Sequence, residues 1–116
     1  MADNNAMKAS IIRVSIMRCD PADFERFRRM MAESEPVLRP GIEAMPGVIA
    51  YYAGADAATS SLTNTSVWQS LTHAQQMDRF EPMLALGRAF AAAGARFDRP
   101  IMNHATLWRF GPAAGG

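Results

Sequence analysis

Few side chains in this sequence combine a reactive type with a spacing that would let them act together. The best grouped are Asn64, Ser66 and Trp68, in the run Leu62 to Ser70 (LTNTSVWQS). That run is rich in Thr and Val and reads as a strand, so alternation puts Leu62, Asn64, Ser66 and Trp68 on one face. A carboxamide, a hydroxyl and an indole N–H side by side can hydrogen-bond a small polar ligand. The plainer reading is a core indole, with the amide satisfying a buried backbone group. His104 lies in Ile101 to Phe110 (IMNHATLWRF), on a face with Met102, Thr106, Trp108 and Phe110. There it is either a packed core histidine or a proton acceptor on an apolar sheet face. Tyr52, Ser66 and His104 are the candidate pocket residues.

Other chemistries find less support. His73 and His104 show no HxH or HxxxH spacing and no acidic cluster nearby, so no metal site is expected. Cys19 is the only cysteine, which rules out an intrachain disulfide and leaves a partly buried thiol. The nine methionines read as core filler. With 12 basic against 11 acidic side chains, the net charge is +1, too little to hold a nucleic acid or an anionic membrane. The densest basic stretch, Arg26, Arg28 and Arg29, is interleaved with Glu25, Glu33 and Glu35, as on a solvated helix face, with Glu25 and Arg29 four apart. No signal-peptide core or membrane-length apolar run is found, so a cytoplasmic address is expected by elimination.

The elements that must position these residues fit one domain in 116 residues, about half of them hydrophobic. Residues 1–8 read as a flexible N-terminus and 111–116 as a loose tail, leaving 9–110 as the domain. Ala9 to Met17 (ASIIRVSIM) reads as strand one, with Ile12, Val14 and Ile16 on one face and Ile11, Arg13, Ser15 and Met17 on the other. Asp20-Pro21 starts a helix carrying Phe24, Phe27, Met31, Ser34 and Leu38 as one stripe. Pro36 should distort its last turn and Pro40-Gly41 end it. Val48 to Ala53 is strand two, Gly54 to Ser61 a loop, and Leu62 to Ser70 strand three. Thr72 to Gln75 matches a capping box opening a short helix, and Pro82 starts another with Met83, Leu86, Gly87, Phe90 and Gly94 inward. Ile101 to Phe110 is strand four. The order β-α-β-β-α-β is the split βαβ, ferredoxin-like α+β arrangement. Helices on one face of four antiparallel strands leave the other face to be covered by a second copy, so a homodimer is expected.

Two stretches carry a family resemblance: Pro46-Gly47-Val48-Ile49-Ala50-Tyr51-Tyr52, and Asn64 to His73, running from the third strand into a helix. With the element order, these resemble the antibiotic-biosynthesis-monooxygenase family of dimeric α/β barrels, over roughly residues 9–110. The resemblance implies a protein that uses no metal and no flavin, in which a deprotonated anthrone-, phenol- or quinol-type substrate reacts directly with O2. It also implies catalytic roles for Asn64 and Trp68, which match a strand pair four residues apart, and for Arg88 on the following helix. An amide and an indole N–H would donate to a carbonyl as it enolises, and a guanidinium would stabilise an oxyanion or peroxide. Helix projection puts Arg88 at the edge of the apolar side or beyond it, the position of a solvated arginine.

Haem degradation on the same fold is disfavoured: strand one offers Ser10, Arg13 and Ser15 but no Asn, and His73 sits close to a cap. A dimeric accessory protein that binds a small molecule without turning it over stays open, as does an isomerase or cyclase.

Overall fold

The computed structural model describes residues 10–111. The expected flexible ends, residues 1–8 and 111–116, lie outside the described residues except for Gly111. The elements are β1 (Ile11–Arg18), α1 (Phe24–Glu33), α2 (Glu35–Glu43), β2 (Val48–Asp56), β3 (Ser61–Trp68), α3 (Leu71–Ala74), α4 (Glu81–Ala92), β4 (Arg96–Phe97) and β5 (Met102–Ala105). Short 3-10 turns at Pro21–Asp23 and Gln75–Arg79 lead into α1 and α4. The strands form one antiparallel sheet in the order β2-β3-β1-β4, with β5 beside β4 on the same flank of β1. This is the expected ferredoxin-like α+β fold.

Several local details differ from expectation. The first helix breaks at Ser34, whose hydroxyl donates to Met31 O (2.6 Å), and Pro36 opens a second helix instead of distorting the first. That helix runs past Pro40-Gly41 to Glu43. Leu38 and Ile42, one turn apart, are both buried against Trp68, and this packing outweighs the backbone bond lost at Pro40. Gly41 is needed there because a Cβ would lie 2.7 Å from the Phe80 ring. Glu25 pairs with Arg28, three residues on, and not with Arg29. The cap of α3 is Ser70, whose Oγ accepts from His73 N (3.2 Å), so the capping box at Thr72 is not formed. Strand two continues to Asp56 through Gly54 and Ala55, which pair with Thr63 and Leu62. Of the expected fourth strand only Met102–Ala105 pairs in the sheet, and Arg96–Phe97 adds a short unexpected strand ahead of it. Leu107 to Phe110 leave the sheet after a last backbone bond from Thr106 N to Ser10 O (2.8 Å).

Register sorts the helix-facing side of the sheet into rows. Val48, Trp68, Ile11 and Ala105 form one apolar row, and Ala55, Leu62, Met17 and Phe97 another. Between them run Tyr51, Ser66, Arg13 and Asn103, then Ala53, Asn64 and Ser15. The helices build one core cluster over each apolar row. Phe27, Met31 and Phe90 pack with Met17 and Leu62, the Phe27 and Phe90 rings meeting edge to face at 5.6 Å. Leu38, Ile42, Ala74 and Met77 pack with Trp68. The outer face carries Ile12, Val14 and Ile16 opposite Val67, Thr65 and Thr63, with Tyr52, Met102 and His104 alongside.

Candidate functional site

Between the two clusters, under the helices, lies a cavity of about 500 Å³. Its floor is the polar middle of the sheet (Arg13, Ser15, Tyr51, Asn64 and Ser66), and its apolar walls include Met31, Met77, Met83, Leu86 and Phe90. A second hollow, between α2 and β2, shares Met31, Tyr51 and Asn64 with it. Two side-chain atoms among the described residues are buried with no hydrogen-bond partner, Tyr51 Oη and Asn64 Oδ1, and both belong to this floor. An unpaired buried polar atom is costly, and a ligand or a bound water supplies its missing partner.

The expected site residues divide three ways. Asn64 and Ser66 reach the cavity floor, and Arg88 its lining. Arg88 stands at the rim, its side chain 66% exposed and paired with Glu81. Trp68 does not line the cavity: it is 0% exposed, and its Nε1–H donates to Ser66 Oγ (2.8 Å), so it acts on the floor only through Ser66. Tyr52 and His104 lie on the opposite face of the sheet, Tyr52 paired with Thr65 and His104 with Ile12, so neither is a residue of this cavity. The reason at Tyr52 is a register shift between Val48 and Ala50, where Ile49 is the extra residue. A bulge reverses the parity of the strand, so Val48 and Tyr51 share the helix side and Tyr52 turns outward.

Residues not expected in the site are Tyr51, Arg13 and Asp78. Arg13 is 7% exposed, in the centre of β1, and its Nη2 donates to Asp78 Oδ1 at 2.7 Å. The sequence signal was the mixed face Ile11, Arg13, Ser15 and Met17, which is the side under the helices. Burial pushes the Tyr51 hydroxyl up to about 12, with the Arg13 charge pulling weakly the other way. Tyr51 is therefore a neutral donor at physiological pH. Cys19 is buried in the core, its Sγ 3.5 Å from Ser60 O. His73, placed by Ser70, packs on the turn at Gly47. Among the described residues no three His, Cys, Asp or Glu side chains gather as a metal-binding group, and no helix is long and apolar enough to cross a membrane.

The sequence matches no protein-family model and no curated protein. Its fold is nevertheless shared with solved structures. One is a putative antibiotic biosynthesis monooxygenase from Deinococcus radiodurans (TM-score 0.66, 10% identity, covering 88% of this chain and 97% of that one). Another is a monooxygenase of Streptomyces coelicolor in complex with nanaomycin D (TM-score 0.65, 12% identity, 91% and 95% covered). A third is a dimeric ferredoxin-like protein from an uncultured marine organism (TM-score 0.68, 10% identity, 88% and 99% covered). At such identities the likeness is one of fold: this chain has the architecture that those putative monooxygenases have.

Proposed function

We propose that this chain is a cofactor-independent, monooxygenase-like protein, which oxidises a small phenol, quinol or anthrone-type compound with O2 in the cavity between sheet and helices. The observation that carries the reading is the pair of unpartnered atoms, Tyr51 Oη and Asn64 Oδ1, on the floor of an otherwise largely apolar cavity. A flat aromatic compound satisfies both requirements, burying its rings against Met31, Leu86 and Phe90 and its oxygens against the floor. Asn64 Oδ1 accepts from a substrate hydroxyl and fixes the ring. Loss of a substrate proton leaves an electron-rich anion that O2 can oxidise. For a ring methylene, one oxygen atom of O2 becomes the new carbonyl and the other leaves as water with the two methylene hydrogens. Trp68 is a positioning residue in this reading, and Arg88 guards the mouth. A homodimer closed over the outer sheet face belongs to the same proposal, and the dimeric ferredoxin-like neighbour supports it.

A second reading has its own observation. The Trp68 N–H is committed to Ser66 and the Arg88 guanidinium to Glu81, so two of the three expected catalytic groups are already engaged. That favours a protein that binds the compound without oxidising it. Oxygen uptake by the purified chain with a panel of anthrones and hydroquinones separates the two. Uptake above the spontaneous rate, lost in Asn64→Ala, supports the oxygenase; binding with no uptake supports the accessory protein.

A further inference from the structure

The row Tyr51, Ser66 and Arg13 crosses three adjacent strands in register, and each member offers a donor to the cavity. Tyr51 has its unpartnered hydroxyl. Ser66 Oγ accepts from Trp68, which leaves its own O–H to donate. Arg13 carries five N–H donors in a rigid fork, and its hydrogen bond among the described residues is the one to Asp78. Asp78 is half exposed and meets the fork through one oxygen only, so it half-satisfies a guanidinium that is more than nine-tenths buried. A buried cation is costly until it is fully paired. The rest of the lining leans the same way: with Arg88 paired to Glu81 at the rim, Arg13 and Arg99 stand against the single carboxylate Asp78. Arg99 lies over the Phe97 ring and donates to the Asp98 carbonyl, so no acid neutralises it there.

The geometry points to an oxyanion subsite: Arg13, Ser66 and Tyr51 together receive a negatively charged oxygen of the ligand, a carboxylate or an ionised phenol or enol. This deepens the proposed function, resting on the reading that the cavity takes a flat aromatic compound, and it names the charge that compound carries. Asn64 Oδ1, one row along, accepts from a neighbouring hydroxyl, so a ligand with an anionic oxygen beside a hydroxyl fits best. Arg13 is then the binding residue that favours the ionised ligand, and Tyr51, neutral below alkaline pH, is its partner donor. Asp78 competes with the ligand for the guanidinium.

The test is equilibrium binding of three probes of one shape to the full chain: 2-naphthoate, 2-naphthamide and 2-naphthol. The wild type is expected to bind 2-naphthoate about tenfold or more tightly than 2-naphthamide, as a charge-assisted hydrogen bond requires. Arg13→Gln should bring the two probes level, and Asp78→Asn should tighten naphthoate several-fold by releasing the fork. Bound 2-naphthol, followed by absorbance among Arg13, Tyr51, Asp78, Arg88 and Arg99, should ionise at lower pH than free naphthol if the subsite takes a phenolate. A naphthoate preference with no such shift assigns it to carboxylates. Equal affinity for naphthoate and naphthamide with no naphthol shift overturns the inference, as does a preference that survives in folded Arg13→Gln. If Arg13→Gln does not fold, the wild-type comparison and Asp78→Asn decide. No arm needs turnover, so oxygen uptake without anion preference would sink this subsite and leave the oxygenase standing. Anion preference without uptake would do the reverse.

Discussion

Trp68 donates its indole N–H to Ser66 Oγ, 2.8 Å away and two residues back on the same face of β3. The indole is thus a buttress behind the cavity floor. Ser66→Ala leaves a fully buried N–H without a partner, and should cost about 1–3 kcal/mol. Trp68→Phe loses the same bond together with packing volume among Leu38, Ile42 and Met77, and should cost at least as much. Denaturant midpoints check both. A Trp68→Phe protein of unchanged stability but lower ligand affinity would mean that the indole touches the ligand after all.

Asn64 should behave in the opposite way. Its Oδ1 is buried and unpaired, so Asn64→Leu removes a destabilising group, and the folded state should be as stable or firmer by up to ~1 kcal/mol. Ligand affinity should fall in the same variant. Melting and binding measured on one preparation decide, and a variant that loses stability and keeps affinity would make Asn64 a structural residue.

Tyr51 predicts an alkaline weakness. Its hydroxyl, pushed up to about 12 by burial, lies above the ordinary tyrosine value, so the folded chain holds this proton longer than the unfolded one. The contribution is intact below pH 10 and is lost as pH rises from 10 toward 12, by something on the order of 2 kcal/mol. Tyr51→Phe should flatten that part of the decline when denaturant midpoints at pH 9 and pH 11 are compared. Parallel declines in the two proteins would refute it.

Leu107, Trp108 and Phe110 are 94%, 81% and 94% exposed where the chain leaves the sheet, and the outer sheet face carries Tyr52 at 65%. Apolar surface of this kind marks an interface. Sedimentation should give twice the 12.7 kDa chain mass, and Val14→Arg, between Thr65 and Met102 in the middle of that face, should halve it. A monomeric wild type would remove the dimer from the proposal.

Much of this was legible in the sequence. The strand and helix order followed from periodicity, and alternation along β3 put Asn64 and Ser66 on the side of the cavity. What escaped had identifiable physical causes. A single extra residue at Ile49 exchanged Tyr51 for Tyr52, and nothing in the local composition marks that bulge. Arg13 was placed on the mixed face of strand one but not in the site, because a buried guanidinium is uncommon without a visible partner, and Asp78 is distant in sequence. Pro40-Gly41 looked like a stop until the burial of Ile42 supplied a reason to continue. Trp68 was placed on the correct face, but the depth of its burial depended on helices whose docking no strand pattern encodes.

The division of the core has a thermal consequence. Cavity walls include Met31 and Phe90 of one cluster and Met77 of the other, while Leu86 packs against both. A molecule seated there bridges two halves that the chain's own side chains join sparsely, much as a keystone locks the sides of an arch. At a hundred times its dissociation constant such a molecule adds about 2.7 kcal/mol, which in a chain of this size lifts the melting midpoint by roughly 10 °C or more. Heating the protein against a library of aromatic acids and phenols therefore reads out its preferred ligand before any reaction is known.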